Sequence, residues 1–509
     1  MADWSSGYVT DLGYTHGFYR ELTPSYLALV PLIKGQSGFD PNASLNICEL
    51  GCGQGLSANL IAAANPQVQY YATDFNPAQI VGAKALAREA EVANVHFFDQ
   101  SFAEFLIEPS LPTFDIIMLH GIYSWIQPEH RLEIVEFIRR KLRPGGVVYI
   151  SYNALPGWSV AAPMRQLMYM HGKNQGGPTA TKLDPALDFI GKMIEAGAGY
   201  FRAVPALKER YEKLKSQNRN YLAHEYLNEA WTLLYHSEVV EELQAAKLTY
   251  VGSAAVIEMM DSVNLTAAQR EILAQFTDPT MSETVRDFMF NQQFRRDVFM
   301  RGTLPLSRPA AQALWADSRF VLSTLRSEIP LTTKGMLGEL TLKPEVYAPV
   351  LDALASGAKT VRQLLADPKV GAIGLKGLME VIVILVGAGH MQPCLDEKGD
   401  AKRSQRTKAF NKAVMTRSLS SSELQFLASP VTGGGFQIDR FGQMFLLSMQ
   451  QKQSDPVQFA LNALTAMGER ILKDGKPIEA ADESIAKLRE LYSTFETKHL
   501  PVLKQLGII

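Results

Sequence analysis

The stretch Asn46-Ile-Cys-Glu-Leu-Gly-Cys-Gly-Gln-Gly-Leu56 decides how this chain folds. A short apolar strand runs into Gly51, Gly53 and Gly55, and a helical run from Leu56 to Ala64 follows at once. Glycine lacks a Cβ, so its backbone can turn sharply and approach a ligand closely. A strand, a glycine turn and a helix N-terminus, in that order, make a nucleotide-type pocket. Tyr70-Tyr-Ala-Thr-Asp74 reads as a second strand ending in a carboxylate, 19 residues past Gly55. An acid there can accept both ribose hydroxyls. A G-x-G-x-G by itself also serves ligand-free turns. Two details narrow it: Glu49 precedes the first glycine, and the absence of a Lys-Ser/Thr pair after the last argues against a phosphate-gripping loop.

Outward from this turn the chain keeps a βα rhythm, expected of an α/β, Rossmann-like domain. Strands are expected at 46–50, 68–73, 95–98, 114–119 and 147–151, with helices at 56–64, 77–90 and 129–142. Ligands of such sheets sit beyond the carboxyl ends of the strands. On that rim lie Asp74-Phe75, Asp99-Gln100-Ser101, His120-Gly-Ile-Tyr-Ser-Trp125 and Tyr152-Asn-Ala-Leu-Pro-Gly-Trp158. The last two segments bring Tyr123, Trp125, Tyr152 and Trp158 to the expected acceptor side, with no obvious Asp or Glu base. Such an aromatic slot suits a lysine stem: rings pack on the methylenes and attract a cationic head by roughly 0.5–2 kcal/mol. Ordinary aromatic packing at the sheet edge is the alternative. Residues 7–33 form an aromatic lead-in, either an arm sealed against the core or a flap over the ligand, with Tyr14 and His16 as flap candidates.

The E-x-G-x-G-x-G turn with an acid ending the next strand resembles the class I S-adenosylmethionine-dependent methyltransferases. The resemblance implies S-adenosylmethionine as cofactor, with Glu49 and the glycine turn at its amino-acid end. It places Asp74 on the ribose, Asp99 on the adenine, and His120 and Gly121 beside the sulfonium. Tyr14, Phe75, Gln100 and Ser101 join the cofactor set. Tyr123, Trp125, Tyr152 and Trp158 would line the site of transfer. With Leu222-Ala-His-Glu-Tyr-Leu-Asn228, Leu248-Thr-Tyr-Val-Gly-Ser253 and Phe288-Met-Phe-Asn-Gln-Gln-Phe-Arg-Arg296, the chain resembles bacterial methyltransferases that carry a methyltransferase regulatory domain. That group includes the rickettsial outer-membrane-protein lysine methyltransferases, which implies methylation of lysine amines in a protein substrate. A small-molecule or glycan acceptor, or a non-catalytic cofactor-binding scaffold, are the alternatives. The chain departs from the pattern at Ala254, where an acidic residue is expected.

A length of 509 residues predicts about two to four domains. The expected division is a methyltransferase domain with its flap at 1–165, a helical regulatory domain at 166–302 and a helical C-terminal domain at 303–509. A formal net charge of −2 gives no global attraction to nucleic acid. Cys48, Cys52 and Cys394 are too few for a disulfide framework; Cys48 and Cys52 read as small buried residues, and no metal is expected. Met1-Ala-Asp-Trp-Ser has no basic region followed by an apolar run, and no segment is apolar enough to span a bilayer. The cytoplasm is the expected compartment. Within 303–509, helices at 345–356, 360–366 and 375–387 and an extended piece at 390–395 predict a winged-helix-like unit. Its third helix is nearly all apolar, so it reads as buried, or as a protein-binding or homo-oligomer surface, rather than as a DNA reader. Lys402–Lys412 is basic and reads as a flexible loop. Helices are expected at 457–474 and 482–495.

Overall fold

Strands covered on both faces by helices need apolar residues at successive positions. A computed structural model describes residues 7–13, 15–473 and 476–509, and Ile116–Leu119 in the middle of its central sheet follow that rule. The sheet comprises β1 (Asn46–Leu50), β2 (Gln69–Asp74), β3 (Val95–Asp99), β4 (Phe114–Leu119), β5 (Leu142–Asn153), β6 (Thr249–Ser253) and β7 (Phe294–Met300). Their spatial order is β3-β2-β1-β4-β5-β7-β6. The first five run parallel, and β7 is antiparallel to both β5 and β6. All of β4 is buried. The α/β, Rossmann-like expectation holds, and the order reverses beside β1, which puts the glycine turn at the switch point where such sheets bind ligands.

The helices begin where their capping residues dictate. Helix α1 (Pro24–Ile33) has proline in its first turn. Helix α2 (Leu56–Ala64) starts from Gly55 at φ 66°. Helix α3 (Pro77–Glu89) is capped by the Asn76 side chain, which accepts the Ala78 N–H. Helix α4 (Phe102–Ile107) carries a capping box between Ser101 and Glu104. Helix α5 (Pro128–Lys141) stops one residue before β5. β5 is therefore longer than the expected 147–151, because its entry turn is already paired with β4 at Leu142.

Residues 166–302, expected as a helical unit, also contribute β6 and β7 to the central sheet. Arg295 and Asp297 hide β7 by interrupting its apolar pattern. Both are buried, and the Arg295 guanidinium donates to Asp297 at 2.9 and 3.0 Å. It also pairs with Asp287 and, at 3.2 Å, with Glu283, while Asp297 receives the Tyr152 hydroxyl at 2.7 Å. Burial alone would raise the Asp297 carboxyl, but Arg295 and His236 hold it below its ordinary value.

Beyond residue 302, Lys359–Thr360, Arg319–Leu322 and Met391–Cys394 form an antiparallel sheet of three strands. Helices Pro344–Leu354, Val361–Ala366 and Gly374–Gly387 pack with it. Of the alternatives for the third helix, burial within the chain holds for Val381–Val386. Two local expectations are corrected. The basic stretch 402–412 lies in a helix, Asp400–Arg417, because Arg403, Thr407, Phe410, Asn411 and Val414 give it a buried face. The helix expected at 457–474 ends at Ala466, where Gly468 takes φ 67° just beyond the cap. Among the described residues no helix is long and apolar enough to cross a membrane.

Replacing Arg295 by Met leaves the Asp297 and Asp287 carboxylates buried without their cation. The substitution is expected to cost about 3–5 kcal/mol. The midpoint of urea unfolding, followed by circular dichroism, measures this.

Candidate active site

The glycine turn is held by the end of the neighbouring strand. The Gly51 and Cys52 N–H groups donate to the Thr73 carbonyl at 2.8 and 3.0 Å. The next one, of Gly53, donates to the Asp74 carboxylate at 2.9 Å, and the Asn76 N–H reaches its other oxygen at 3.0 Å. Gly51 and Gly55 have φ of 74° and 66°, where a side chain is strained. Space excludes one too: a Cβ on Gly55 would lie 2.5 Å from the Ala83 Cβ, and one on Gly51 would enter the Ile122 side chain.

Above this turn opens a cavity of about 540 Å³, in the size range of small-molecule sites. Of the residues expected at the cofactor, Glu49, the three glycines, Asp74, Phe75, Gln100, Ser101, His120 and Gly121 line it. So do Trp125 and Trp158. Four expected residues need a different account. Tyr14 lies outside the described residues. Asp99 stands exposed at the end of edge strand β3, level with Asp74, while the Thr73 hydroxyl donates to the Gln100 carbonyl at 2.7 Å and draws the following residues over the pocket. Tyr152 and Tyr123 face the core. Side chains alternate along a strand, so Asn153 lines the site, Ser151 lies beneath it with its Oγ accepting the Gly121 N–H at 2.8 Å, and Tyr152 points to the other face, to Asp297. Tyr123 is fully buried and its hydroxyl donates to Glu242.

Burial sets the electrostatics. It pushes the Asp74 carboxyl up to about 6, against the lowering effect of its two backbone donors. It raises Glu49 to about 7, although the Tyr70 hydroxyl donates to that carboxylate at 2.7 Å. His120 is driven the other way, to about 3, by burial and then by the Arg296 charge, so its imidazole is neutral. Its ring lies against Tyr19, with centroids 3.6 Å apart, and Nδ1 is 2.8 Å from the Tyr149 hydroxyl.

The sequence reading missed part of the wall. Tyr8, Thr15, Gly17 and Tyr19 of the lead-in line the cavity, whereas His16 turns toward Glu423 at 4.0 Å. Arg210, Tyr221, His224 and Glu225 come from the middle of the chain. The Leu222–Asn228 resemblance is the signal in the sequence that reaches this region. The Arg210 guanidinium lies 4.1 Å from the Trp158 ring centre, and Trp231 meets Trp158 edge-on at 5.2 Å.

Residues 48–148 match the family model described as "Methyltransferase domain", and residues 218–301 match "Predicted methyltransferase regulatory domain". An uncharacterized protein of Synechocystis sp. is 46% identical over 99% of both chains. The chain belongs to the S-adenosylmethionine-dependent methyltransferases that carry a methyltransferase regulatory domain. An uncharacterized protein of Rickettsia prowazekii is 29% identical to this methyltransferase over 43% of the chain and 87% of its own length. The trans-aconitate 2-methyltransferase of Methylobacterium radiotolerans is 30% identical over 41% of the chain and 70% of its own. The solved structure of PKMT2 from Rickettsia typhi in complex with AdoHcy has the same fold, with a TM-score of 0.72 at 18% identity, covering 97% of this chain and 100% of that one.

The cofactor of this methyltransferase is S-adenosylmethionine, and the site fits it. The turn admits no Cβ at Gly51 or Gly55, and two buried carboxylates, Asp74 and Glu49, face the cavity for hydroxyl and ammonium groups.

Strain and clash at Gly55 can be separated experimentally, with Gly145 near the start of β5 as the strain-only reference. Gly145→Ala, at φ 78° with nothing within 4 Å of the new Cβ, is expected to cost about 1–2 kcal/mol from strain alone. Gly55→Ala adds the clash with Ala83 and Phe97, about 1–3 kcal/mol more. Denaturant unfolding of the two variants gives the difference.

Proposed function

We propose that this methyltransferase transfers its methyl group to lysine amines of a protein substrate. The observation that carries this reading is Arg210 over Trp158: the acceptor wall already holds a cation at 4.1 Å. The sequence resemblance to rickettsial lysine methyltransferases points the same way. S-adenosylmethionine, when bound, supplies a methyl group activated by its sulfonium charge. In this reading Asp74 accepts the ribose hydroxyls, Glu49 takes the amino-acid ammonium, and Gln100 and Ser101 stand near the adenine with Asp99 behind them. Neutral His120 and the Gly121 backbone border the methyl group, and a neutral ring there does not repel a cation. Trp125 and Trp158 wall the acceptor slot, exclude water and position the incoming chain, so that catalysis rests mainly on alignment. Residues 1–165 act as the catalytic unit and 166–302 as the unit that closes the acceptor side. We also read 345–395 as a winged-helix-like unit.

A second reading is a carboxylate-bearing small molecule as acceptor, favoured by Arg210 and Arg296 on the cavity wall. Transfer of radiolabelled methyl from S-adenosylmethionine into a lysate separates the two. Label recovered as methyl-lysine after protein hydrolysis supports the first reading; label confined to small organic acids replaces it with the second.

Two further outcomes follow for the cofactor. Asp74→Asn is expected to weaken S-adenosylhomocysteine binding about 10- to 100-fold in calorimetry, from the loss of charge-assisted bonds. The ligand favours ionised Asp74 and Glu49, whose carboxyls stand at about 6 and about 7 without it. Affinity is therefore expected to be steady above pH 7 and to fall as the pH drops through about 7 and then about 6, with protons released on binding in that window. Calorimetry in buffers of different ionisation enthalpy reads the release.

A further inference from the structure

We propose that Glu225, brought to the site by the regulatory segment, takes the proton from the acceptor amine; this rests on the amine reading above. No acid of the strand ends on the acceptor side serves this purpose, and the sequence of those segments contains none. The structure supplies one from elsewhere. Glu225 lies on the helix Arg219–Leu227, within the regulatory match at 218–301, and its side chain lines the cavity together with Trp158, Asn153, Tyr19 and His120.

Fixed bonds hold that helix in place. The Asn218 side chain caps it by accepting the Tyr221 N–H at 3.1 Å. His224 Nε2 lies 3.1 Å from the Leu12 carbonyl of the lead-in. Arg165 donates to the Glu225 carbonyl at 3.3 Å and also to the Asn228 carbonyl. The Glu225 carboxylate itself accepts no hydrogen bond and joins no ion pair among the described residues, so its acceptor capacity is unspent. Charged and titratable groups face it from several elements: Arg165 and Arg210 from the middle helices, the Tyr221 hydroxyl from its own helix, and the Tyr8 and Tyr19 hydroxyls from the lead-in. Burial outweighs the two arginines and pushes the carboxyl up to about 8. That narrows its gap to an amine, whose ordinary value is about 10.4, and proton transfer is cheapest when the two are close.

The step balances. A lysine ammonium on the aromatic wall gives one N–H proton to the Glu225 carboxylate. The freed nitrogen lone pair forms the new N–C bond as the bond from the methyl carbon to sulfur breaks and its electron pair leaves with sulfur. Glu225, now a carboxylic acid, returns its proton to solvent.

The test uses the full-length protein and Glu225→Gln. With S-adenosylhomocysteine saturating, n-butylammonium is titrated as the probe by calorimetry at pH 9. Its binding is expected to weaken about 10- to 100-fold in the variant, while S-adenosylhomocysteine binds both proteins equally. Label transfer into lysate lysines should rise with pH through about 8 in the wild type. In the variant it should rise only near about 10, where the amine loses its proton unaided. Glu225→Asp, which keeps a carboxylate, should keep the lower limb at reduced rate; if the Gln variant does not fold, loss of that limb in the Asp variant overturns the proposal. Unchanged n-butylammonium affinity, or a limb near 8 in Glu225→Gln, overturns it and leaves the amine reading standing. A wild type that labels no protein amine at any pH overturns both.

Discussion

Consecutive backbone N–H groups of the glycine turn, those of Gly51, Cys52 and Gly53, fasten onto the last two residues of β2, and the site is built on that clasp. A turn this tight leaves its amides pointing inward, and buried amides need acceptors. Thr73 offers its carbonyl and Asp74 its side chain. The same carboxylate lines the cavity, so one group both closes the turn and faces the cavity. Its raised proton affinity follows from that position: the fold withdraws it from water, and two backbone donors only partly compensate.

The lead-in and the C-terminal unit extend this constraint. Phe18 is buried against Phe426, with ring centres 5.4 Å apart, and beside Gly434 and Gly435, where added Cβ atoms would meet its ring. Next in the chain, Tyr19 lies on His120. The C-terminal unit thus sets where the lead-in runs over the pocket. It is held to the sheet's helices by Asn65, whose amide donates to the Gly433 carbonyl at 2.7 Å, by Ser25 on the Thr432 carbonyl at 2.7 Å, and by the paired contacts of Arg417 with Glu89. Arg20 reaches the Gly387 carbonyl at 3.1 Å and ties the same lead-in to the apolar helix 374–387.

Some of this architecture is local enough to read from residues alone. Gly51, Gly53 and Gly55 mark a turn that other side chains cannot make, and the apolar run Ile116–Leu119 of β4 marks a doubly covered strand. β7 was illegible because Arg295 and Asp297 satisfy each other only after the sheet forms. Tyr152 was misassigned for a related reason. Its segment reaches the rim, but strand alternation gives the cavity wall to Asn153 and sends the phenol to Asp297.

The sequence by itself determined the Rossmann-like order of strands and helices and which strand ends, glycines and tryptophans border the cavity. These depend on backbone conformations and apolar spacing within a few residues of one another. Only the tertiary structure decided which aromatics face the cavity, and that Tyr8, Tyr19, Arg210 and Glu225 also line it. Those residues are far from the glycine turn in the chain, and nothing in local spacing records a contact made by packing one unit onto another.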